Sequence, residues 1–479
     1  MNWKEKAIKL LTDSLHPVPA ELNELDWKSG LSDKSDRLAQ HISAFANLKG
    51  GGFLVYGVNN DGSCFDMQKD EIDAIIQKLG NIAQNNLANS IQIEHAIMFF
   101  EGKSLLFVHI PEQPDKPVHL RGKDVYSSYR RSAGQTVKMS RNQVKTIIAE
   151  SQGITFEQQT AKKNLTSEDV LNLLNYKAFY ERIDKNVPSS TDSILNKMSD
   201  YGFCETNGEL WNITNLGAIL YANSLGDFED LRNREIVIHK YVGTNNRQQE
   251  YEQHISKGYA VVFEDVVEMV MQNTGKEKIE VRRELVPTYP RVAIREIAAN
   301  MLVHQDFGIA GIPITIEIFS NRITFTNPGA PLNNINRLID LPPNSRNEKL
   351  AQTMFMLHIC EKRGSGIDRA VAAIEEMILP AVKFTKGDEH TKVYLYPQKS
   401  LKDMTKQEKI EACYQHACLM FEDDKPINNQ SVRVRFELND HQSSVASRII
   451  ADTLEAGLLK LANADITSRK YATYIPYYG

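Results

Sequence analysis

Between Arg291 and Phe307 the chain reads RVAIREIAANMLVHQDF, and three of its polar residues, Glu296, Asn300 and His304, stand four apart. On an α-helix that spacing drifts only about 40° per step, so a carboxylate, an amide and an imidazole line one face. Ile294, Ile297, Ala298, Met301 and Leu302 make the opposite face apolar. Taken alone, the polar stripe is equally well a solvated helix face. It gains meaning from Asn327-Pro328-Gly329, Ser345-Arg346-Asn347 and Glu361-Lys362-Arg363-Gly364-Ser365-Gly366-Ile367 downstream. A glycine loop that opens a helix lets backbone N–H groups meet phosphate oxygens. Joined to the Glu296 helix, that loop predicts a nucleotide site. No G-x4-G-K-[ST] occurs anywhere, which excludes the P-loop cradle of a motor helicase.

Three other groups of residues could do chemistry. Asp26 and Lys28 alternate with Leu25 and Trp27, so both project to one face of a strand, with Glu21 nearby. Such carboxylates either form an ion pair with Lys28 or hold a divalent ion that activates water. From Arg121 to Lys145 there are seven basic residues (Arg121, Lys123, Arg130, Arg131, Lys138, Arg141, Lys145) against one acid, Asp124, with Tyr126 and Tyr129 among them. That stripe could follow phosphates while the tyrosines stack, or it could be a hairpin edge guarded by charge. Near the C-terminal end, Gln442, Ser443, Ser444, Ser447 and Arg448 open a helix candidate with side chains suited to base edges, and Arg433, Arg435, Arg469 and Lys470 are candidates for phosphate contact.

These residues need elements to hold them. The 479 residues, 42% hydrophobic and 24% charged, suffice for several ordinary cores, or about three domains. Whole-chain disorder is excluded by the same composition. The apolar runs, such as Phe53–Tyr56 and Leu105–Val108, are too short to cross a bilayer, and no secretory leader follows Met1. Five scattered cysteines without a C-x2-C pair point to a reducing compartment, hence the cytoplasm, and away from structural zinc. The net charge of -5 does not advertise a polyanion binder, but local fields and not sums hold polyanions.

Periodicity predicts a helix over 35–48 and strands over 53–58, 93–100, 103–110, 312–319 and 322–326. Residues 151–163 read as a polar linker, and 167–217 as short helices followed by a wing-like strand at Glu209–Thr214. The C-terminal stretch reads as helix (407–420), short helix from Asn428, turn at Asn439-Asp440-His441, and recognition-helix candidate (442–456).

The ordered set E-x3-N, N-P-G, R-N and G-S-G resembles the degenerate ATPase domain of the gyrase, heat-shock-chaperone, histidine-kinase and MutL superfamily (GHKL). More narrowly, it is similar to the form in proteins labelled RecG-helicase-like or divergent-AAA transcriptional regulators. The resemblance implies that Glu296 activates a water and that Asn300 holds Mg²⁺. It also implies that Gly364, Ser365 and Gly366 close over ATP phosphates, with His304, Asn327, Gly329, Arg346 and Arg363 as further contacts. Where the superfamily has an aspartate for the adenine amino group, this chain has Asn327. The N-terminal set, Glu21 to Lys28, Ala44-Phe45-Ala46-Asn47 with the glycines after it, Gly57-Val58-Asn59-Asn60-Asp61-Gly62 and the segment 126–136, resembles the Schlafen/AlbA-type domain. That implies nucleic-acid binding, through Lys28, Arg130, Arg131 and Lys138. In some members it implies RNA cleavage by three carboxylates, of which Glu21 and Asp26 match two, while the third place holds Asn59-Asn60 with Asp61 one step later.

The expected architecture is therefore α+β and multidomain. A Schlafen/AlbA-type α/β domain (13–147) precedes a connector with a possible degenerate winged helix (165–285), a Bergerat-like α/β sandwich binding ATP (286–397) and a C-terminal winged helix (407–479). The expected function is a DNA-binding transcriptional regulator, homo-oligomeric, whose state is set by Mg-ATP. Weak ATP hydrolysis is the most enzymology this reading includes. Alternatives are an ATP-gated nuclease acting on DNA or RNA, and a scaffold that works through protein contacts.

Overall fold

The computed structural model describes residues 2–16, 19–279, 283–309, 311–342, 344–360, 366–463 and 472–479. The chain divides into two compact units, Met1–Thr155 with Gly387–Glu389, and Phe156–Lys386 with His390–Gly479. The fold is α+β and multidomain, as the sequence predicts.

The first unit is built on a four-stranded sheet in the order Leu25–Lys28, Gly52–Tyr56, Lys103–Ile110, Glu94–Phe100. The first pair is parallel and the others antiparallel. Strand alternation sorts the side chains. Leu25, Trp27, Phe53, Val55, Leu105 and Phe107 bury one face against Ala7, Leu11 and Leu15 of the Trp3–Leu15 helix. Leu54, Tyr56, Leu106 and Val108 bury the other against the helices Ser35–Ala46 and Lys69–Asn85. Asp26 is in register with Leu54 and Lys28 with Tyr56, so the two charged residues share that second face. A hairpin, Tyr129–Ser132 with Gln135–Lys138, is tied to the Ser35–Ala46 helix and its end. Ser43 Oγ accepts from the Tyr129 N–H at 3.2 Å, and Asn47 Nδ2 donates to the Tyr129 carbonyl at 3.0 Å. Asn47 of the Ala-Phe-Ala-Asn motif is thus a tether.

The second unit opens with a three-stranded sheet, Thr160–Leu165, Leu210–Thr214, Cys204–Asn207. Most of the first of these strands, residues 160–163, lies in the stretch read as a linker. Its lysines and asparagine suit an edge strand, and pairing to Leu210–Thr214, with irregular register, overrides its weak local pattern. A six-stranded sheet follows in the order Gln249–Ile255, Ile236–Tyr241, Ile314–Phe319, Arg322–Pro328, His390–Leu395, Lys383–Lys386. Only the Ile236–Tyr241 to Ile314–Phe319 pair is parallel. Two of its strands come from within the expected connector, upstream of residue 286. One face of the sheet, with Ile236, Ile238, Ile316, Ile318, Ile323 and Phe325, shares a core with the helices Tyr259–Thr274, Arg291–Val303 and Gly366–Glu376. This is a two-layer α/β sandwich.

The chain ends in the helices Lys406–Glu422, Asn429–Arg435 and Ser443–Glu455 and a hairpin, Leu459–Leu461 with Tyr474–Pro476. Ala412, Cys413, Val432, Ala446, Ile449 and Ile450 form their core. Among the described residues no helix is long and apolar enough to cross a membrane.

Candidate functional site

The Arg291–Val303 helix carries the predicted stripe. Ala293, Ile294, Ile297, Ala298, Met301 and Leu302 are buried on its sheet-facing side, but so is Glu296, at 4% exposure. The solvated-face alternative therefore does not apply to this carboxylate. A cation answers its burial: Arg369 Nη1, from the first turn of the Gly366–Glu376 helix, is 3.2 Å from Glu296 Oε1. That helix begins directly over the stripe. A Cβ built on Gly366 would stand 2.9 Å from Glu296 Oε2 and 3.6 Å from Asn300 Nδ2. Any larger residue would press on the carboxylate, which is a physical reason for glycine here. Arg363, Gly364 and Ser365 lie outside the described residues.

The helix ends at Val303, and His304 is its cap, with its N–H donating to the Asn300 carbonyl at 2.9 Å. Burial, reinforced by Arg346, pushes the His304 imidazole down to about 4, so it is neutral at pH 7. Here the other sequence motifs converge. Asp306 N–H donates to the Pro328 carbonyl at 2.8 Å, joining the loop after the helix to the Asn327–Gly329 turn. Arg346 donates to the carbonyls of His304 (3.3 Å) and Ala330 (2.5 Å), and Asn347 Nδ2 donates to those of Val303 and Gln305, each at 2.7 Å. Arg234, 4% exposed, adds bonds to the carbonyls of Phe307 and Ile309. Arg346 and Asn347 therefore fasten this loop, a role that motif spacing could not reveal. Asn327 is buried, its amide donating to the Pro328 carbonyl at 3.2 Å. Glu296 and His304 are separated by about 12 Å of helical rise. One end of that strip meets Gly366, and the other leads into the loop that Asp306 ties to the Asn327–Gly329 turn.

In the first unit the predicted residues Glu21, Asp26, Lys28 and Arg131 meet in one cluster. Lys28 Nζ is 2.5 Å from Asp26 Oδ1 and 3.1 Å from Glu21 Oε1. Arg131 Nη1 is 3.2 Å from Asp26 Oδ2, and Arg131 also donates to Thr136 Oγ1 (2.9 Å), the Leu22 carbonyl (3.3 Å) and the Gly134 carbonyl. Its side chain has no exposure at all. Arg131 therefore departs from the surface stripe the sequence predicts: it spends its charge inside, on Asp26. Burial would raise the Asp26 carboxyl, yet Arg131, Glu21 and Lys28 together hold it below its ordinary value. Burial and the adjacent Asp26 push Glu21 up. Sequence reading missed two members. His41 Nδ1 lies 3.4 Å from Asp26 Oδ2 and 3.0 Å from Thr136 Oγ1, and burial pushes it down to about 4. The Tyr56 hydroxyl, buried and without a hydrogen-bond partner, is pushed up by burial and by Asp26. The only signals in the sequence for these two were helix and strand phase.

Asp61, near the expected third acid, is exposed in a turn and accepts from the Ser63 N–H (2.9 Å) and hydroxyl (2.6 Å). Among the described residues no group of three or more His, Cys, Asp or Glu is arranged to hold a metal. Lys138 is exposed on the hairpin, while Arg130 keeps 15% of its side chain exposed.

On the C-terminal helices, Ser443, Ser444, Ser447 and Arg448 are exposed at the start of Ser443–Glu455, and Gln442 is half-buried with its side-chain oxygen accepting from the Asn439 N–H. Asn429 Nδ2 donates to the Ser443 carbonyl (2.8 Å) and Ser447 Oγ (2.9 Å), fixing this helix on the one before it. Arg435, expected at phosphate, is instead buried, with Nε 3.4 Å from Glu375 Oε2 and Nη2 donating to the Leu379 carbonyl at 2.8 Å. Arg469 and Lys470 lie outside the described residues.

Residues 311–395 match the family model described as "Putative ATP-dependent DNA helicase recG C-terminal", and residues 21–140 match the one described as "Schlafen, AlbA_2". Both resemblances read from the motifs are borne out by these matches; the C-terminal helices fall outside them. Among solved structures, the DIP2311 protein from Corynebacterium diphtheriae aligns over 99% of this chain and 84% of its own, at 14% identity and a TM-score of 0.42. The N-terminal domain of a "Putative ATP-dependent DNA Helicase RecG-related Protein" from Nitrosomonas europaea aligns over 28% of this chain and 91% of its own, at 22% identity and a TM-score of 0.22. At these scores neither alignment carries an argument about function. No curated protein matches the chain.

Proposed function

We propose that this chain is a DNA-binding transcriptional regulator, homo-oligomeric, whose state is set by Mg-ATP bound along the Glu296–His304 strip. One observation carries the reading: a buried carboxylate and an amide one helical turn apart, Glu296 and Asn300, both lie against the helix-opening Gly366, 70 and 66 positions further along the chain. Their chemistry fits the ligand. Mg²⁺ prefers oxygen donors and phosphate company, and when bound it would supply charge neutralisation to the triphosphate. Asn300 offers a side-chain oxygen for the ion, and Glu296 a carboxylate able to orient a water. Glycine at 366 sets the start of its helix against those two groups without adding a side chain over them. The Asn327–Gly329 turn and neutral His304 stand at the other end of the strip, where a base would lie. Asn327 can accept from an exocyclic amine, as an aspartate would, but it brings a donor and no charge, so hydrolysis is slow or absent in this reading.

Nucleic acid would be gripped by the Lys138 side of the first unit and by the exposed start of Ser443–Glu455, acting as the reading helix of a winged helix. The AlbA-type description matched by residues 21–140 supports the first of these contacts, and the second rests on the exposed polar start of the helix. Nucleotide would regulate the grip only by binding one arrangement of the chain more tightly than another. The nuclease alternative draws no support from Glu21 and Asp26, because Lys28 and Arg131 already occupy them.

Titration with a fluorescent ATP analogue and Mg²⁺ tests the proposal. Saturable binding to the wild type, weakened at least about tenfold in Asn300→Ala, is expected. Binding undetectable at millimolar concentration in both overturns it.

A further inference from the structure

Ile97 and Phe99 stand on Glu94–Phe100, the outermost strand of the four-stranded sheet in the first unit, and keep 57% and 72% of their surface exposed. Phe99 is the most exposed large hydrophobic residue among the described residues. His95, also exposed, shares their side of the sheet, since alternate residues of a strand face the same way.

The backbone at that edge is open in a defined pattern. Phe100 is in register with Lys103 across the two-residue turn Glu101-Gly102, whose φ angles of +47° and +76° belong to a type I′ hairpin. The pair that closes such a turn exchanges both its backbone hydrogen bonds, and bonded pairs alternate from there along the ladder. Met98 therefore bonds to Leu105, Ala96 to Phe107 and Glu94 to His109, while the N–H and C=O groups of His95, Ile97 and Phe99 point outward. No other described strand pairs with this edge. Unpaired edges are ordinarily guarded by charge. The second unit follows that rule, with Glu250 and Glu252 on one edge of its six-stranded sheet, Lys383 and Lys386 on the other, and Lys162 and Lys163 on an edge of the three-stranded sheet. On Glu94–Phe100 the one carboxylate, Glu94, lies on the opposite face and meets His109 at 3.0 Å.

Deepening the homo-oligomer of the reading above, we propose that Glu94–Phe100 joins two copies of this chain, antiparallel about a twofold axis at Ile97, into one continuous sheet. A second copy fits by its own sequence. Ile97 meets Ile97 of the second copy, and His95 meets Phe99 in both directions, so the outward groups exchange about six backbone hydrogen bonds. Their side chains form one strip of paired isoleucines with an imidazole against a phenyl ring on either side. On the other face Glu94 comes opposite Phe100, and the charge beyond it is Lys103 of the second copy, in register with that Phe100. No like charges are opposed anywhere in this register. The pairing is also closed, because the far edge of the sheet, Leu25–Lys28, is short and buried; the product is a dimer and not a fibre.

Sedimentation velocity of the full chain over a concentration series tests this, with circular dichroism to confirm that each variant folds. The wild type is expected to dimerise. Ile97→Lys, which sets like charges on the axis, and Phe99→Lys, which sets an ammonium against His95, each raise the dissociation constant at least about 100-fold. A short bismaleimide reads the register. Ile97→Cys cross-links to itself, whereas His95→Cys and Phe99→Cys, each about 14 Å along the strands from its own counterpart, cross-link only when the two proteins are mixed. The wild type, with its five free cysteines, is the blank. A dimer untouched by both lysine variants overturns this surface and leaves the homo-oligomer reading standing. A dimer in which Ile97→Cys fails to cross-link above the blank overturns the axis. A wild type that stays monomeric at every concentration overturns both the surface and the homo-oligomer, without bearing on nucleotide.

Discussion

Arg131→Met removes the guanidinium from the buried cluster of the first unit while keeping an unbranched side chain in its channel over the Phe45 ring. Breaking one side of a buried ion pair costs about 3–5 kcal/mol, because the remaining charge stays behind. Here Asp26, 1% exposed, keeps Lys28 at 2.5 Å, which argues for the lower half of that range. Against this, the Leu22 and Gly134 carbonyls lose a charged donor, at about 1 kcal/mol each or somewhat more. The sum is about 5 kcal/mol. At about 2–4 °C per kcal/mol for a unit of this size, the midpoint of the first unit falls by about 10–20 °C. Hydrogen exchange read by mass spectrometry follows peptides over Leu25–Lys28 and Gly52–Tyr56 as temperature or urea rises, separately from the second unit. Asp26→Asn in the same chain removes the abandoned charge and returns at least about 1.5 kcal/mol of the loss. A loss below about 1 kcal/mol for Arg131→Met would refute the claim that this arginine is a structural cation, and so would an Asp26→Asn/Arg131→Met variant no more stable than Arg131→Met.

His41 supplies an acid dependence. Its folded value, about 4, lies below the 6.5 of the open chain, so the unfolded state takes up the proton first. Its contribution is full above pH 6.5 and is lost as pH falls through about 4, on the order of 3 kcal/mol at most. His41→Gln should flatten that part of the urea-midpoint profile measured on first-unit peptides, and an unchanged slope contradicts it. Gly134, at φ +86°, has its Cβ position 2.6 Å from the Glu21 carbonyl oxygen. Gly134→Ala should cost about 1–3 kcal/mol in the same unit, and a neutral result would mean the hairpin turn can shift away from Glu21. For the C-terminal helices, Arg448→Ala should weaken binding to a labelled random-sequence DNA duplex pool and reduce the log–log salt slope by about 1. An unchanged slope removes Arg448 from the phosphate contacts.

Legibility tracked periodicity and local motif. The Glu296 helix could be read in the sequence because its apolar positions recur at helical spacing, and the strand at Lys103–Ile110 because its apolar run is bounded by a turn. The end of the helix at Val303, which turns His304 from a face residue into a cap, was not legible, since the loop is fixed by Arg346, Asn347 and Arg234 from distant parts of the chain. The Thr160–Leu165 strand was hidden for a related reason: its pairing partner, not its composition, makes it a strand. Charge misled in two places. Arg131 and Arg435 look like surface cations in sequence, and each is buried because a carboxylate from another element, Asp26 or Glu375, meets it. Nothing in local sequence distinguishes a phosphate-seeking arginine from one already paired. Arg369, missed altogether, sits one helical turn past the glycine motif that drew attention.

The account turns on linkage between nucleotide and nucleic acid in one chain. The direct measurement is the affinity of the wild type for a labelled DNA duplex pool, and in parallel for single-stranded RNA, with and without saturating Mg-ATP, repeated with Asn300→Ala. The account predicts that Mg-ATP changes the DNA affinity by at least about fivefold, in either direction, and that Asn300→Ala abolishes the change while leaving the nucleotide-free affinity intact. Identical wild-type affinities in the two conditions, with nucleotide binding independently verified, would contradict it.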